Sequence, residues 1–234
     1  MPRIDAFIEE LRRFRAPLVF NPWQDWHADY DMSSQAPVVR REQLDKYLRL
    51  RLPRARYLFV AEAVGYQGGR FSGIAMTSER MLLGHHRAVE AHQIIGGIGA
   101  RTSSAVSSHI PKETQRRLGF NEPTASVVWE AVLGSMSPYD AILWNIFPFH
   151  PHREGDLLTN RTPTPQEVET GIPYIRRLLA LCPAARVVAI GQPSAGALTA
   201  CGIPHVQLRH PANGGTPAFR HGFAALMAAD GGGN

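Results

Sequence analysis

Four short apolar runs along the chain have the character of buried β-strands. They are continuous and not alternating, which is the pattern of parallel strands covered on both faces. The runs are residues 57–61, 141–144, 186–190 and 205–208. Between them lie stretches with helical character, which would supply the crossover connections of a parallel sheet. These stretches are roughly residues 77–92, 123–134, 166–181 and 193–200. The pattern predicts a three-layer α/β/α fold around a central, mostly parallel four-stranded sheet.

The first 55 residues have a different pattern. Ile4, Phe7, Ile8 and Leu11 are spaced as on one face of a helix, and residues 40–51 repeat that spacing. No internal repeat and no long Pro, Gly or Ser-rich linker divides the chain. We therefore expect one domain over residues 1–234, with residues 1–55 as an N-terminal helical extension packed on it.

Charge and composition narrow the class of protein. The 234 residues include 25 Lys and Arg against 20 Asp and Glu, a net charge of +5, and only Lys46 and Lys112 are lysines. Arginine suits phosphate contacts, so the balance favours a polyanionic partner. No apolar run approaches the ~20 residues of a membrane span, and charges occupy the N-terminus. We expect a cytoplasmic protein, a monomer with no membrane association.

Polar residues follow the predicted strands at the points where the strands end. Glu62 and a glycine-rich segment follow the first run, Asn145 follows the second, and His210 follows the last. The carboxyl ends of parallel strands meet at one edge of the sheet, where ligands bind. The glycines lack the Gly-Lys-Ser/Thr ending of a phosphate-binding loop, and they do not open a helix directly as a dinucleotide site requires. An acid, an amide and an imidazole therefore converge on one edge.

These segments resemble those of the uracil-DNA glycosylase superfamily. Residues 61–65 read Ala-Glu-Ala-Val-Gly, similar to the Gly-Glu-Ala-Pro-Gly motif of its thermophile-type branch. Residues 160–167 read Asn-Arg-Thr-Pro-Thr-Pro-Gln-Glu, and residues 190–195 read Ile-Gly-Gln-Pro-Ser-Ala, both similar to stretches of that branch. His210 with Pro211 and Ala212 matches the third motif of the superfamily. The resemblance runs from about residue 57 to residue 223 and implies the α/β/α fold and the cleavage of a base from DNA.

The chain departs from that branch in two ways. The branch holds an iron–sulfur cluster through four cysteines, whereas this chain has two, so we expect neither a metal nor another cofactor. Ala63 and Gly65 stand where the most active relatives have a water-activating aspartate and a tyrosine that blocks the methyl group of thymine. Residues 73–76 read Gly-Ile-Ala-Met, similar to the Gly-x-Pro-Phe of the superfamily, so the resemblance implies that Met76 stacks on uracil, with Phe71 as the alternative.

The resemblance implies roles for the strand-end residues. The Asn145 amide offers a donor to a carbonyl and an acceptor to N3–H of uracil, which is the reverse of what cytosine requires. His210 would donate a hydrogen bond to O2 of the leaving base. Glu62 would hold or polarise the attacking water. Each residue also has an ordinary alternative: a strand-end cap for Asn145, a structural histidine for His210, and a cap or ion pair for Glu62.

The loop after His210 is expected to enter the minor groove and fill the gap left by a flipped nucleotide. Arginines on both sides of this loop are predicted to contact DNA as well; alternatively, they are ordinary solvated surface residues. The loop and the arginines make up the predicted DNA contacts. These are Arg70, Arg209, Pro211, Asn213, Gly214, Gly215 and Arg220.

The expected function is a monofunctional DNA glycosylase that excises uracil and leaves an abasic site, with DNA containing uracil or abasic sites as its partner. The alternative is a protein on the same scaffold that binds abasic or damaged sites with little turnover. A third hypothesis is a hydrolase of free nucleosides, but such an enzyme would have no function for the arginine-rich surface.

Overall fold

The structure is a computed structural model that describes residues 2–231. Within them the chain forms six β-strands. They are β1 (Val19–Phe20), β2 (Tyr57–Ala63), β3 (Ala141–Phe147), β4 (His150–Pro151), β5 (Arg186–Ile190) and β6 (Val206–Leu208). It also forms ten α-helices and a short 3-10 helix, Pro138–Asp140. The α-helices are α1 (Pro2–Arg13), α2 (Ala36–Arg51), α3 (Gly69–Ser72), α4 (Glu79–Leu82), α5 (Ala91–Ile95), α6 (Glu113–Leu118), α7 (Pro123–Leu133), α8 (Pro165–Leu181), α9 (Gln192–Ala200) and α10 (Thr216–Gly231).

The main sheet confirms the predicted α/β/α fold. Its four strands are parallel in the order β3-β2-β5-β6. Every residue of β3 is buried, as expected for a strand covered on both faces. The register places Ala61 of β2 beside Asn145 of β3, and Ala63 beside Phe147. The ends of these two strands therefore reach the same edge of the sheet.

One predicted helix is wrong. Residues 77–92 do not form a single crossover helix but contain the short α4 and then α5, with irregular chain between them. Gly84, just after α4, has a φ of +75°, a left-handed conformation that ends a helix. The buried residues Met81 and Leu82 nevertheless pack into the main core, which explains the apolar pattern.

The N-terminal residues pack into the same hydrophobic core as the sheet. Phe7 and Leu11 of α1 and Leu44 and Tyr47 of α2 are all buried there. The Tyr47 hydroxyl also accepts a hydrogen bond from the Leu143 amide of β3 at 2.7 Å. The strands β1 and β4 form a second, antiparallel sheet. Within the described residues no helix is both long and apolar enough to cross a bilayer.

A buried ion cluster corrects the prediction for Arg70. Its side chain is inaccessible to solvent, and Nη1 and Nη2 donate to the two carboxylate oxygens of Asp31 at 2.7 and 3.1 Å. Arg40 pairs with the same carboxylate and is equally buried. A guanidinium held inside the protein cannot reach DNA phosphates, so the predicted DNA contact of Arg70 is wrong. It links α3 to the segment before α2 instead.

Candidate active site

A cavity of about 270 Å³ opens at the carboxyl ends of the main strands. This is just below the ~300–1,000 Å³ typical of small-molecule pockets, so it is suited to a single small ring system. Five of the predicted site residues line it: Glu62, Gly65, Met76, Asn145 and His210. A larger groove of about 910 Å³ lies at the opposite ends of the strands, where Tyr57 and Arg186 begin β2 and β5. Ligands of parallel α/β sheets bind at the carboxyl ends, which favours the smaller cavity.

Asn145 lines the cavity and carries an unpaired acceptor. The residue is 1% exposed, and its Oδ1 has no hydrogen-bond partner within the described residues. Leaving a buried polar atom unpaired costs roughly 1–3 kcal/mol, so such atoms in native proteins need an explanation. A ligand donor in the cavity would provide the missing hydrogen bond. The alternative of a strand-end cap is not supported, because this oxygen bonds to no backbone group.

His210 is held in one tautomer. The Ala212 amide donates to its Nδ1 at 3.1 Å, so in the neutral ring the proton is on Nε2. Burial, together with the positive charge of Arg209, lowers the pKa of His210 below its usual 6.5. The imidazole is therefore neutral at physiological pH and offers an N–H donor at the cavity. It follows β6 at the point where the sequence analysis placed it.

Glu62 lies at the end of β2, partly exposed, and lines the cavity. Burial raises the pKa of its carboxyl. Within residues 2–231 it forms no ion pair and no side-chain hydrogen bond, which argues against a capping or salt-bridging role. Its carboxyl is thus available to a water or a ligand.

Met76 occupies a strained position in the cavity wall. Its φ is +47°, uncommon for a residue with a side chain, and it is only 4% exposed. The preceding turn is held by the buried Ser72 hydroxyl, which donates to the Thr77 carbonyl at 2.7 Å. Strain of this kind costs on the order of 1–3 kcal/mol and concentrates at functional sites. It fixes the direction in which Met76 leaves the backbone.

Phe71, the alternative stacking residue, does not line the cavity. Its ring is fully buried and stacks on Phe120, with centroids 4.2 Å apart. The Arg70 guanidinium lies 4.0 Å from the centroid of the same ring. Because Phe71 belongs to this separate cluster, its prediction as a base-stacking residue is wrong. Met76 remains the candidate for that role.

The loop after His210 is only partly available to DNA. Arg209, Asn213 and Gly214 are exposed, and so is Arg220, although it pairs with Glu130 at 2.9 Å. Pro211 and Gly215 are buried. Predicted DNA contacts at these two residues are therefore wrong, because they pack inside the loop and shape it.

Two polar residues of the motif at residues 160–167 belong to the site, although neither was predicted as a site residue. Asn160 and Arg161 both line the cavity. Asn160 Oδ1 accepts a hydrogen bond from the Tyr66 amide at 3.0 Å, which fixes the glycine-rich loop. Arg161 pairs with Glu167 through two bonds of 2.7 and 2.6 Å. Since Glu167 also closes the capping box of α8, this pair fixes the start of that helix beside the cavity.

Glu122 is a second carboxyl in the cavity wall that the sequence did not reveal. It is the N-cap residue of α7, yet its side chain does not cap the helix. Burial raises the pKa of Glu122 to about 7. The only local signal was an acidic residue before Pro123, which is an ordinary helix start.

Comparison with known proteins gives a structural match and no sequence match. No protein-family model and no curated protein sequence matches the chain. The chain is similar in structure to SMUG2 of Pedobacter heparinus, with a TM-score of 0.64. The similarity covers 98% of this chain and 97% of that chain at 14% sequence identity. At this identity the likeness concerns the fold. Fold and cavity together define an α/β/α protein with an acid, an amide and an imidazole at the carboxyl edge of its sheet.

Proposed function

We propose that the protein is a monofunctional DNA glycosylase that flips uracil out of DNA and hydrolyses its N-glycosidic bond. The observation that carries the proposal is the unpaired Oδ1 of Asn145 in the cavity that His210 also lines. The fold likeness to SMUG2, a member of the uracil-DNA glycosylase superfamily, supports it. So do the motifs at residues 61–65 and 160–167.

Asn145 would read the Watson–Crick edge of the base. Uracil offers an N3–H donor beside a carbonyl acceptor, and an amide side chain pairs with both. Cytosine has an unprotonated N3 beside an amino group, so it would leave the Asn145 oxygen without a donor. A site built to receive a hydrogen bond discriminates strongly, because the wrong base leaves buried groups unpaired.

His210 would stabilise the departing base. Cleavage places negative charge on uracil, chiefly at O2, and positive character on the sugar. A neutral imidazole with its proton on Nε2 can donate a hydrogen bond to that oxygen, so the imidazolium form is not required. Loss of one such donor typically costs 10²–10³ in rate.

Glu62 would hold the water and stabilise the positive sugar. A carboxylate beside a developing oxocarbenium ion does both. Met76 would pack on the face of the flipped base. The exposed Arg209 and Arg220 would contact phosphates on either side of the loop at residues 211–215.

The experiment uses a labelled oligonucleotide that carries one uracil, single-stranded and opposite guanine. After incubation and alkali, multiple-turnover strand scission together with free uracil supports the proposal. Matched oligonucleotides with cytosine or thymine are the specificity controls. A retarded complex without scission would instead indicate the alternative, a binder of damaged sites, for which the missing carboxylate at Ala63 is the supporting feature. If the protein neither cleaves nor retards the oligonucleotide, both the glycosylase and the binder are contradicted.

A further inference from the structure

The glycine-rich loop after β2 is shaped around the carboxyl group of Glu122. A β-carbon at Gly68 would overlap Oε2 of Glu122 and would lie 2.8 Å from its carboxyl carbon. A β-carbon at Gly65 would lie 3.2 Å from Oε1. Real β-carbons essentially never come as close to another atom as a β-carbon at Gly68 would come to this carboxyl group. The absence of side chains at these two positions thus makes room for a carboxyl from α7.

Among residues 2–231 that carboxyl has neither an ion-pair nor a hydrogen-bond partner. Oε2 is buried without a hydrogen bond within the described residues, and no ion pair to Glu122 occurs among them. Yet the backbone of Glu122 is fixed, since its amide donates to the Ser78 hydroxyl at 3.2 Å. Glu122 is half-buried, but its Oε2 is buried beside the cavity and has no hydrogen bond within the described residues, which is an arrangement that no structural role explains.

The other charged or titratable groups that line this cavity come from three elements. Glu62 ends β2, Arg161 precedes α8, and His210 follows β6. Arg161 is already paired with Glu167. His210 is neutral near pH 7 because its pKa is lowered. Desolvation is the cause of the raised pKa of Glu122, about 7.

On the basis of the proposed glycosylase function, we propose that Glu122 is the proton acceptor for the water that attacks the sugar. The water oxygen forms a bond to C1′ of the deoxyribose, and the C1′–N1 bond breaks with its electron pair staying on uracil. The proton lost by the water passes to the Glu122 carboxylate. His210 stabilises the uracil anion, and the carboxylate of Glu62 stabilises the sugar. Glu122 thus supplies the carboxylate that Ala63 lacks.

The test compares single-turnover uracil release by the wild-type protein with Glu122→Gln, Glu122→Asp and Glu62→Gln. An exposed glutamate supplies the matched control, Glu113→Gln. Rates are measured from about pH 5.5 to 8.5, since a general base acts only when deprotonated. Binding to an oligonucleotide with a stable abasic-site analogue and thermal unfolding are measured for every variant.

We expect the wild-type rate to rise about tenfold per pH unit below a midpoint near 7 and to level off above it. Glu122→Gln should lose this rise and fall at least about tenfold at pH 8, with binding within about threefold of wild type. Glu62→Gln should lower the rate and keep the rise, and Glu113→Gln should match wild type. Glu122→Asp, which keeps a carboxylate, should keep the pH dependence at a lower rate, and it decides the case if Glu122→Gln does not fold.

Two failures are distinguishable. If the wild-type protein releases no uracil, the proposed function is refuted and this inference with it. If the wild-type protein is active and Glu122→Gln keeps both the rate and the pH dependence, only the role of Glu122 is overturned.

Discussion

Asn145 lies directly beside Ala61 in the parallel register of β3 and β2. This pairing places Asn145 beside the end of β2, where the segment that contains Glu62 and Gly65 begins. Both elements line one cavity, and the unpaired Oδ1 of Asn145 lies in its wall. The register of two strands therefore sets the distance between the group that would read the base and the loop that would hold the water.

Asn145→Ala should separate a role in function from a role in folding. Because Oδ1 has no partner among residues 2–231, its removal loses no hydrogen bond within them, and we expect the free energy of unfolding to change by less than about 1.5 kcal/mol. Uracil release should fall at least about tenfold if this amide reads the base. Urea unfolding and the single-turnover rate check the two halves. A large loss of stability with unchanged release would show a structural residue.

His210→Ala should lower the rate of uracil release by about 10²–10³. Because burial and the charge of Arg209 lower the pKa of His210 below 6.5, the ring is neutral and donating about one pH unit above that value and higher. The ratio of wild-type to variant rates should therefore stay constant between about pH 7.5 and 8.5. A ratio that falls as the pH rises through this range would mean that the imidazolium is the active form. The exposed His85 supplies the control, His85→Ala.

The sheet was predictable because its signals are local. Four continuous apolar runs mark the strands, and parallel strands with crossover helices have few arrangements. The same logic brought Glu62, Asn145 and His210 to one edge. The broken helix at residues 77–92 was missed because its apolar residues are buried in irregular chain, and periodicity does not separate that case from a helix.

The sequence does not show which charged side chains are buried, and burial decides their role. Arg70 and the exposed Arg209 look alike in a sequence, but Asp31 holds only the first of them inside the protein. Glu122 was missed for a related reason. Its importance comes from the absence of side chains at Gly65 and Gly68, on a distant segment, and no local pattern connects an acid to glycines that far away.

His150 should make the stability of the fold depend on pH. The ring is fully buried near the Val64 and Leu157 carbonyl oxygens, and burial lowers its pKa to about 4. The unfolded chain binds the proton near pH 6.5, so stability is present above that pH and is lost as the pH falls towards 4. The shift corresponds to about 3 kcal/mol. In urea unfolding, the stability gap between wild type and His150→Gln should shrink over this range. A constant gap would contradict the assignment.

Asp31→Ala should destabilise the fold strongly. It removes the carboxylate that pairs with the buried Arg40 and Arg70 and leaves two uncompensated positive charges. Breaking a buried ion pair in this way costs about 3–5 kcal/mol. Asp29, whose side chain is 45% exposed, is the matched control, and Asp29→Ala should cost less than about 1 kcal/mol. Similar unfolding midpoints for the two variants in guanidinium would show that the cluster contributes little.

Gly215→Ala should disturb the site from within the loop. A β-carbon there would overlap the His210 carbonyl oxygen and lie 2.9 Å from that of Ala212. The contacts are with backbone, so the loop must move, and it carries the imidazole and the Ala212 amide that fixes its tautomer. Misplacement by about 1 Å can cost on the order of 10²-fold in rate. We expect uracil release to be at least tenfold slower, which corresponds to about 1.4 kcal/mol in the activation free energy.

The control for this variant is Gly196→Ala. Gly196 in α9 has open space around it, so this substitution should leave the rate unchanged. Equal rates for the two variants would mean that the loop does not position His210.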